Sequence, residues 1–465
     1  MYCFFPIEVK IRDFESRLLM AYSLTKKNFK CVIGRKSVVN KYASSRNESY
    51  LYFAKGMMRK TYNKIIETGG KFIILDEEGG IFEKDYEKTL RLKNDNEIVP
   101  HVDLFFTWGE IQKDFLLNNG KNVDPNKIVV SGNPRFDLCK PEFSKYHEMI
   151  NESVRKYKQG FILFNVKFGL FNNQRDIKEI VYFHKKRRGE EGYNKLIRNK
   201  IENRMSYQKE LFDHFINAVR VLSKRFNKKD IIIRPHPVEK LETYEKLFRN
   251  DHNVHTVREG SVHEWILKAD VVIHHDCTTG IEAMMLQKPT ISFCPILDEE
   301  LIQWLPVEAS FKIYNLNDLI DTIDKYIIKK YQPAYFLKRY DFSIIKPFIA
   351  NVDFSSARKI ADEIDFRKEV WIKQTNDSRE HCAEKDTKDH ISKRLIKAIQ
   401  YRLFGKKNRF NLNTRNNKIL RKNKFDQLTF NEVSKRINAL KTIETQDITI
   451  KIKAIGKDAY MLEKI

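Results

Sequence analysis

The sequence has few of the features that mark a disulfide-stapled, zinc-bound or membrane-spanning chain. Its six cysteines (Cys3, Cys31, Cys139, Cys277, Cys294 and Cys382) form no Cys-x-x-Cys pair and show no tight spacing, which argues against a structural zinc site. Most lie in apolar, strand-like runs such as Lys30-Cys-Val-Ile33, so buried, reduced thiols of a cytosolic protein are expected. Met1 to Pro6 lacks the basic start and long apolar core of a secretory signal. No apolar run approaches the roughly 18 residues that crossing a bilayer requires. The most apolar stretch, Phe161 to Phe171, is broken by Asn165 and Lys167. Acidic residues are also short in number, 62 against 86 Lys and Arg, for a net charge of +24. That excess calls for an anionic partner: a nucleotide, nucleic acid, acidic glycan or anionic membrane surface.

What is present fits a globular chain. At 465 residues it is too long for one ordinary core, so two domains and an extension are expected. An apolar content of 42% supplies those cores, and 12% aromatics argues against global disorder. Strand-like runs at Tyr2 to Pro6, Phe29 to Ile33, Tyr50 to Ala54, Phe72 to Leu75, His101 to Thr107 and Lys127 to Val130 alternate with helix-like segments. One helix runs from Asp13 to about Lys27, with Phe14, Leu18, Leu19 and Tyr22 on one face. A polar stretch, roughly 140–160, reads as a connection. A second series follows, with strands at Phe161 to Phe168, Ile231 to Ile233, Val254 to Val257, Val271 to Ile273 and Thr290 to Phe293. Strands separated by helical residues indicate βαβ units and parallel sheets. The expected class is therefore α/β, with two Rossmann-like domains over residues 1–150 and 151–350 facing a cleft. Residues 351–465 read as a helical, basic extension. Residues 391–424 hold twelve Lys/Arg and no Asp/Glu, half the net charge. Within them Ile391, Leu395, Ile399 and Leu403 recur every fourth residue, a basic amphipathic helix suited to an anionic membrane surface, with a solvated basic extension as the alternative. No nucleic-acid motif accompanies this segment, so nucleic acid is not the expected partner.

Two strand ends carry the chemistry. Asp230-Ile-Ile-Ile-Arg-Pro-His-Pro237 places Arg234, His236 and Pro237 at the mouth of a sheet, and the prolines fix the backbone on either side of His236. The rigid imidazole could donate to a phosphate oxygen, act as a general base or satisfy a backbone group in a turn. Asp270-Val-Val-Ile-His-His-Asp-Cys-Thr-Thr-Gly-Ile-Glu-Ala283 runs into a helix start, where Thr278, Thr279 and the Gly280 backbone offer donors to an anion. Thr279 and Glu282 have capping-box spacing, and capping is compatible with phosphate binding; Glu282 could otherwise accept from ribose hydroxyls. The two strand ends are expected side by side, forming one crevice. His274, His275 and Asp276 could be read as metal ligands, but neighbours along a strand point to opposite faces, so no metal is expected.

In the first half, Asp76-Glu-Glu-Gly-Gly80 follows a buried strand. One of its acids, Glu78 or Glu77 ahead of Asp76, could deprotonate an acceptor hydroxyl; the alternative is a solvated acidic turn. Asn133 and Arg135 end the last strand of this half. Arg135 could reach a phosphate or carboxylate across the cleft, or pair with Asp137 at the turn.

Arg-Pro-His-Pro, a second strand and a Thr-Thr-Gly-Ile-Glu-Ala helix start together resemble the carboxyl-terminal domain of GT-B glycosyltransferases. Within them the chain is most similar to the bacterial surface carbohydrate biosynthesis proteins. By motif it is more distantly similar to CDP-glycerol glycerophosphotransferases, capsule Kdo transferases and bacterial sialyltransferases. Leu75-Asp-Glu-Glu-Gly79, Trp108-Gly109, Ser131-Gly-Asn-Pro-Arg-Phe-Asp137, Phe354-Ser-Ser-Ala-Arg-Lys-Ile-Ala-Asp362 and Leu428-Thr-Phe-Asn-Glu-Val-Ser-Lys-Arg-Ile437 extend the resemblance over most of the chain. It implies a GT-B fold and metal-independent, inverting transfer from a nucleotide-activated sugar or sugar-like donor. A glycan or lipid-linked acceptor and no further cofactor are expected with it, and the basic amphipathic segment, with no signal or spanning run, suggests a cytoplasmic protein that could sit at the inner face of the membrane. Asp276-Cys277 departs from the small hydroxyl residues that related proteins carry there. A nucleotide-sugar 2-epimerase shares the two-domain fold and is the alternative enzyme; a non-enzymatic protein binding anionic surfaces is the alternative outside enzymes.

Overall fold

A computed structural model describes the chain except for residues 47, 78–83, 94–97, 151, 158–159, 183–194, 329–339, 341, 353, 384–414 and 446. The first six strands are β1 (Tyr2–Ile7), β2 (Lys30–Arg35), β3 (Tyr50–Ala54), β4 (Gly70–Leu75), β5 (Leu104–Thr107) and β6 (Ile128–Val130). They pair in parallel in the order β2-β1-β3-β4-β5-β6. Their near-continuous apolar content is what a sheet covered on both faces requires, and β3 is buried at every position. The second sheet contains β7 (Phe161–Val166), β8 (Ile231–Pro235), β9 (Val254–Thr256), β10 (Ala269–His274), β11 (Thr290–Phe293) and β12 (Phe311–Ile313). It is parallel throughout, in the order β12-β11-β10-β7-β8-β9. Two doubly wound sheets around a cleft make the fold α/β, as the strand spacing indicated, and GT-B-like, as the resemblance implied.

One expectation changes here. β8 and β10 are not neighbours, because β7 lies between them and pairs with both. The apolar run 161–166 is one of the two central strands of the second sheet, so its polar end at Asn165 and Lys167 enters the site.

The chain beyond residue 351 returns to the first domain. The helix Ser356–Ala383 is capped by Asp137, whose carboxylate accepts from the amides of Ser356 at 2.9 Å and Ala357 at 2.7 Å. Ile360 and Ile364 of that helix, with Val433 and Ile437 of the helix Phe430–Glu444, share a core with Leu18, Leu19 and Tyr22. The helix Lys10–Lys26 is therefore buried from Asp13 through Thr25, where one apolar face had been expected. The last residues form a hairpin, β13 (Ile450–Gly456) and β14 (Ala459–Lys464), and β14 pairs antiparallel with β2 at the sheet's edge. This covers an edge that would otherwise present unpaired backbone groups. Residues 384–414, which contain the amphipathic stripe Ile391 to Leu403, lie outside the described residues. No described helix is long and apolar enough to cross a membrane.

Candidate functional site

Each sheet reverses its strand order once, between β1 and β3 in the first and between β7 and β10 in the second. At such a reversal the loops after adjacent strands diverge and leave a crevice beyond the carboxyl ends. The two crevices meet in one cavity of about 300 Å³. Glu8, Arg12, Lys55, Glu77 and Arg135 line it from the first domain; Lys167, Arg234, His236, Pro237, Arg258, Thr278 and Thr279 line it from the second.

The turn after β8 is built from within. Glu239, fully buried, accepts through Oε1 from the amides of Phe168 at 3.0 Å and His236 at 3.1 Å, and through Oε2 from the Tyr244 hydroxyl at 2.6 Å. Burial pushes its carboxyl up to about 7 against those bonds. The His236 backbone is thus held by prolines on both sides and by one carboxylate beneath. The amide of Val238 donates to Nδ1 of His236 at 3.3 Å, which places the ring proton on Nε2. Burial, joined by the nearby cations Arg12, Lys167, Lys424 and Arg258, lowers the imidazole to about 3. His236 is therefore a neutral donor at pH 7, too weak a base for proton abstraction. Arg234 lines the same cavity, but its guanidinium is spent on the carbonyls of Glu259 at 2.8 Å and Gly260 at 2.6 Å, with Trp265 beneath it. Its role is to fix that loop.

The Thr-Thr-Gly stretch differs from the expected cap. The helix Thr279–Met285 begins after Thr278, with no side-chain capping bond. The expected capping box is absent because the N-cap is Thr278, one residue earlier, which puts Ile281 and not Glu282 at the third helical position; Glu282 pairs with Arg135 across the cleft. Glu282 is fully buried and the Arg135 side chain is 11% exposed, so this pair ties the two domains. Thr279 lines the cavity, and its Oγ1 is buried beside the Cys277 thiol. Gly280 does not line the cavity. Its amide donates to the Cys277 carbonyl at 2.9 Å, and a Cβ there would stand 2.2 Å from Nε2 of His274. That glycine is required by packing.

Among the first-domain acids, Glu78 lies outside the described residues. Glu77 lines the cavity, yet it is 3% exposed and accepts from Nε of the buried Arg17 at 2.5 Å. Asp76 does not line the cavity; its carbonyl accepts from Trp108 Nε1 at 2.6 Å and Asn133 Nδ2 at 2.9 Å. Asn133 is itself buried, capping Arg135 and bonded to Asn351 at 2.7 Å. It shapes the inter-domain turn from outside the cavity.

The His-His-Asp run separates as strand geometry requires. His274 meets Ser310 at 2.9 Å, His275 meets Tyr207 at 2.7 Å, and Asp276 pairs with Lys167 at 3.1 Å. Among the described residues no group of three His, Cys, Asp or Glu is placed to hold a metal.

Sequence reasoning missed Glu8, Arg12, Lys55, Lys167, Arg258 and Lys424 as lining residues, and Glu239 as the support of His236. Lys167 had a legible signal, a cation ending an apolar strand. Glu8 and Lys55 follow β1 and β3, so applying the strand-reversal rule to the first domain would have found them. Arg258 and Lys424 had no local signal, since only tertiary packing brings them in.

No family model matches the chain, and no curated protein does. Among solved structures it is similar to the UDP-GlcNAc 2-epimerase of Neisseria meningitidis bound to UDP-GlcNAc: 14% identity, 79% of this chain and 100% of that one, TM-score 0.48. It is also similar to the wall teichoic acid polymerase TagF, at 12% identity over 82% of this chain and 90% of that one, with a TM-score of 0.49. Scores of this size carry no argument about activity, which has to come from the residues of the cleft.

Proposed function

We propose that the protein is a metal-independent glycosyltransferase that uses a nucleotide-activated sugar, or a sugar-like donor, in cell-surface polysaccharide synthesis. The observation that carries this reading is the placing of two donors in one cationic cleft: the neutral His236, with its proton on Nε2, and Thr279, whose buried hydroxyl a side-chain rotation would turn to a ligand. Arg258 and Lys167 add positive charge beside them. As the bond from the donor's anomeric carbon to phosphate oxygen breaks, negative charge grows on the departing nucleotide. Fixed donors aimed at that charge stabilise the transition state without a metal.

The acceptor hydroxyl must lose a proton as it attacks. Glu77 is held by Arg17 and almost inaccessible, so Glu78 is the better base of the pair. Glu78→Gln should lower kcat by roughly 10²–10⁴ with donor KM little changed; an unchanged kcat contradicts that role. Whether the acceptor is lipid-linked, and whether residues 391–424 bring the enzyme to an anionic membrane, is tested by sedimentation with anionic vesicles at two salt concentrations. No binding at low salt retires the membrane part.

The function itself is tested by release of nucleotide from a panel of nucleotide sugars, with and without a candidate glycan acceptor. Acceptor-dependent release that His236→Ala abolishes supports the transferase. Conversion of UDP-GlcNAc with no acceptor present favours a 2-epimerase instead.

A further inference from the structure

The first-domain side of the cavity holds a charge cluster apart from the His236 turn and the Thr279 helix start. Glu8, just past β1, stands among three ammonium groups. Lys55 lies at 2.8 Å and Lys36 at 3.7 Å from one carboxylate oxygen, and Lys424 lies at 3.7 Å from the other. One negative charge among three positive charges leaves a surplus of two. Lys55 and Lys424 line the main cavity, and Lys36 and Lys55 line a smaller one of about 20 Å³ beside it.

Three separated parts of the chain bring the lysines to Glu8: Lys36 opens the helix Lys36–Ala43, Lys55 follows β3, and Lys424 comes from the returning chain. Lys424 ends the helix Arg415–Lys424, and the next residue, Phe425, is buried beneath the guanidinium of Arg35 at 4.3 Å. Arg35 also donates to the carbonyls of Phe425 at 3.3 Å and Asp426 at 3.0 Å. The anchor directs Lys424 toward Glu8, where its side chain is 28% exposed. Burial lowers the Lys424 ammonium, with Lys55, Arg175 and Arg12 adding repulsion against the attraction of Glu8. The Glu8 carboxyl, although burial raises it, is held at about 2 by Lys55, Lys36 and Lys424. Glu8 is thus too weak a base for catalysis and serves to order the lysines. Like charges gathered at partial burial cost free energy, which an anion seated among them offsets.

We infer that Lys36, Lys55 and Lys424 around Glu8 form a second anion site, on the acceptor side of the cleft, for a phosphate group carried by the acceptor. This deepens the transferase reading and rests on it. Ammonium groups bind phosphate as point charges and need no bidentate geometry, which suits three lysines on separate elements. The acceptor class is then a phosphorylated glycan or glycan precursor.

The test is titration of the full-length chain with sn-glycerol 3-phosphate, followed by calorimetry, alone and with saturating nucleotide. We expect binding that persists when nucleotide is bound. Lys424→Ala and, independently, Lys55→Ala should each weaken it roughly tenfold, and Lys424→Arg should restore it. Absence of binding to the wild type, unchanged affinity in both alanine variants, or one-for-one competition with nucleotide overturns the inference. Equal binding of glucuronate overturns the phosphate assignment. The nucleotide arm reports on the donor site by itself, so failure there is distinguishable from failure here.

Discussion

His236 shows how a turn leaves an imidazole with a single free hydrogen-bond donor. The prolines beside it restrict the backbone, and Glu239 accepts its amide. The amide of Val238 occupies Nδ1, so only Nε2 is left to donate. A nucleotide diphosphate placed beside Nε2 would neutralise the cations that depress the ring. The account therefore predicts that the His236 pKa, about 3 without ligand, rises on nucleotide binding. An NMR titration of the ring checks this, and an unmoved pKa speaks against contact with phosphate. Glu239 gives a second prediction at this scale. Its folded pKa of about 7 lies above the ordinary carboxyl value near 4.3. The associated stability is fully present below about pH 4 and is lost as pH rises through 7. Relative to Glu239→Gln, the wild type should lose on the order of 3 kcal/mol across that window. Parallel denaturation profiles for the two proteins would contradict it.

At the scale of elements, the cleft depends on pairs that cross it. Arg135 and Glu282 join the turn after β6 to the helix after β10, and both side chains are largely buried. Removing one partner leaves a buried charge uncompensated. Arg135→Ala should therefore cost about 3–5 kcal/mol in chemical denaturation, and the double variant Arg135→Met with Glu282→Leu should cost less. A double variant as unstable as the single one contradicts this. Gly280→Ala forces the helix Thr279–Met285 away from His274 and should lower the melting temperature. These roles explain why the sequence was only partly readable. Thr279 and Glu282 have capping-box spacing, but the helix takes Thr278 as its N-cap, and Arg135, 147 residues distant, takes the carboxylate. Arg234 reads as a phosphate ligand until the loop carbonyls of Glu259 and Gly260 engage it.

For the whole molecule, strand spacing and apolar runs were sufficient to indicate two parallel sheets. Their order was not, because β7 inserts between β8 and β10 through contacts no local pattern announces. The return of the chain after residue 351 was equally hidden. Its hairpin completes the edge of the first sheet, and its basic stretch ends with Lys424 in the cleft. The second anion site follows from that return, since the first domain by itself lacks Lys424. The central claim, that His236 and Thr279 hold the phosphate of a nucleotide, is tested most directly by thermal shift. Wild type and His236→Ala would be compared with CMP, CDP, UDP, GDP and ADP. The account predicts that one base family stabilises the wild type and that His236→Ala loses most of the response. A cytidine response points to Kdo-like, sialic-acid-like or glycerol-phosphate donors, and a uridine response to hexosamine donors. Equal shifts in both proteins, or no shift with any nucleotide, would contradict it.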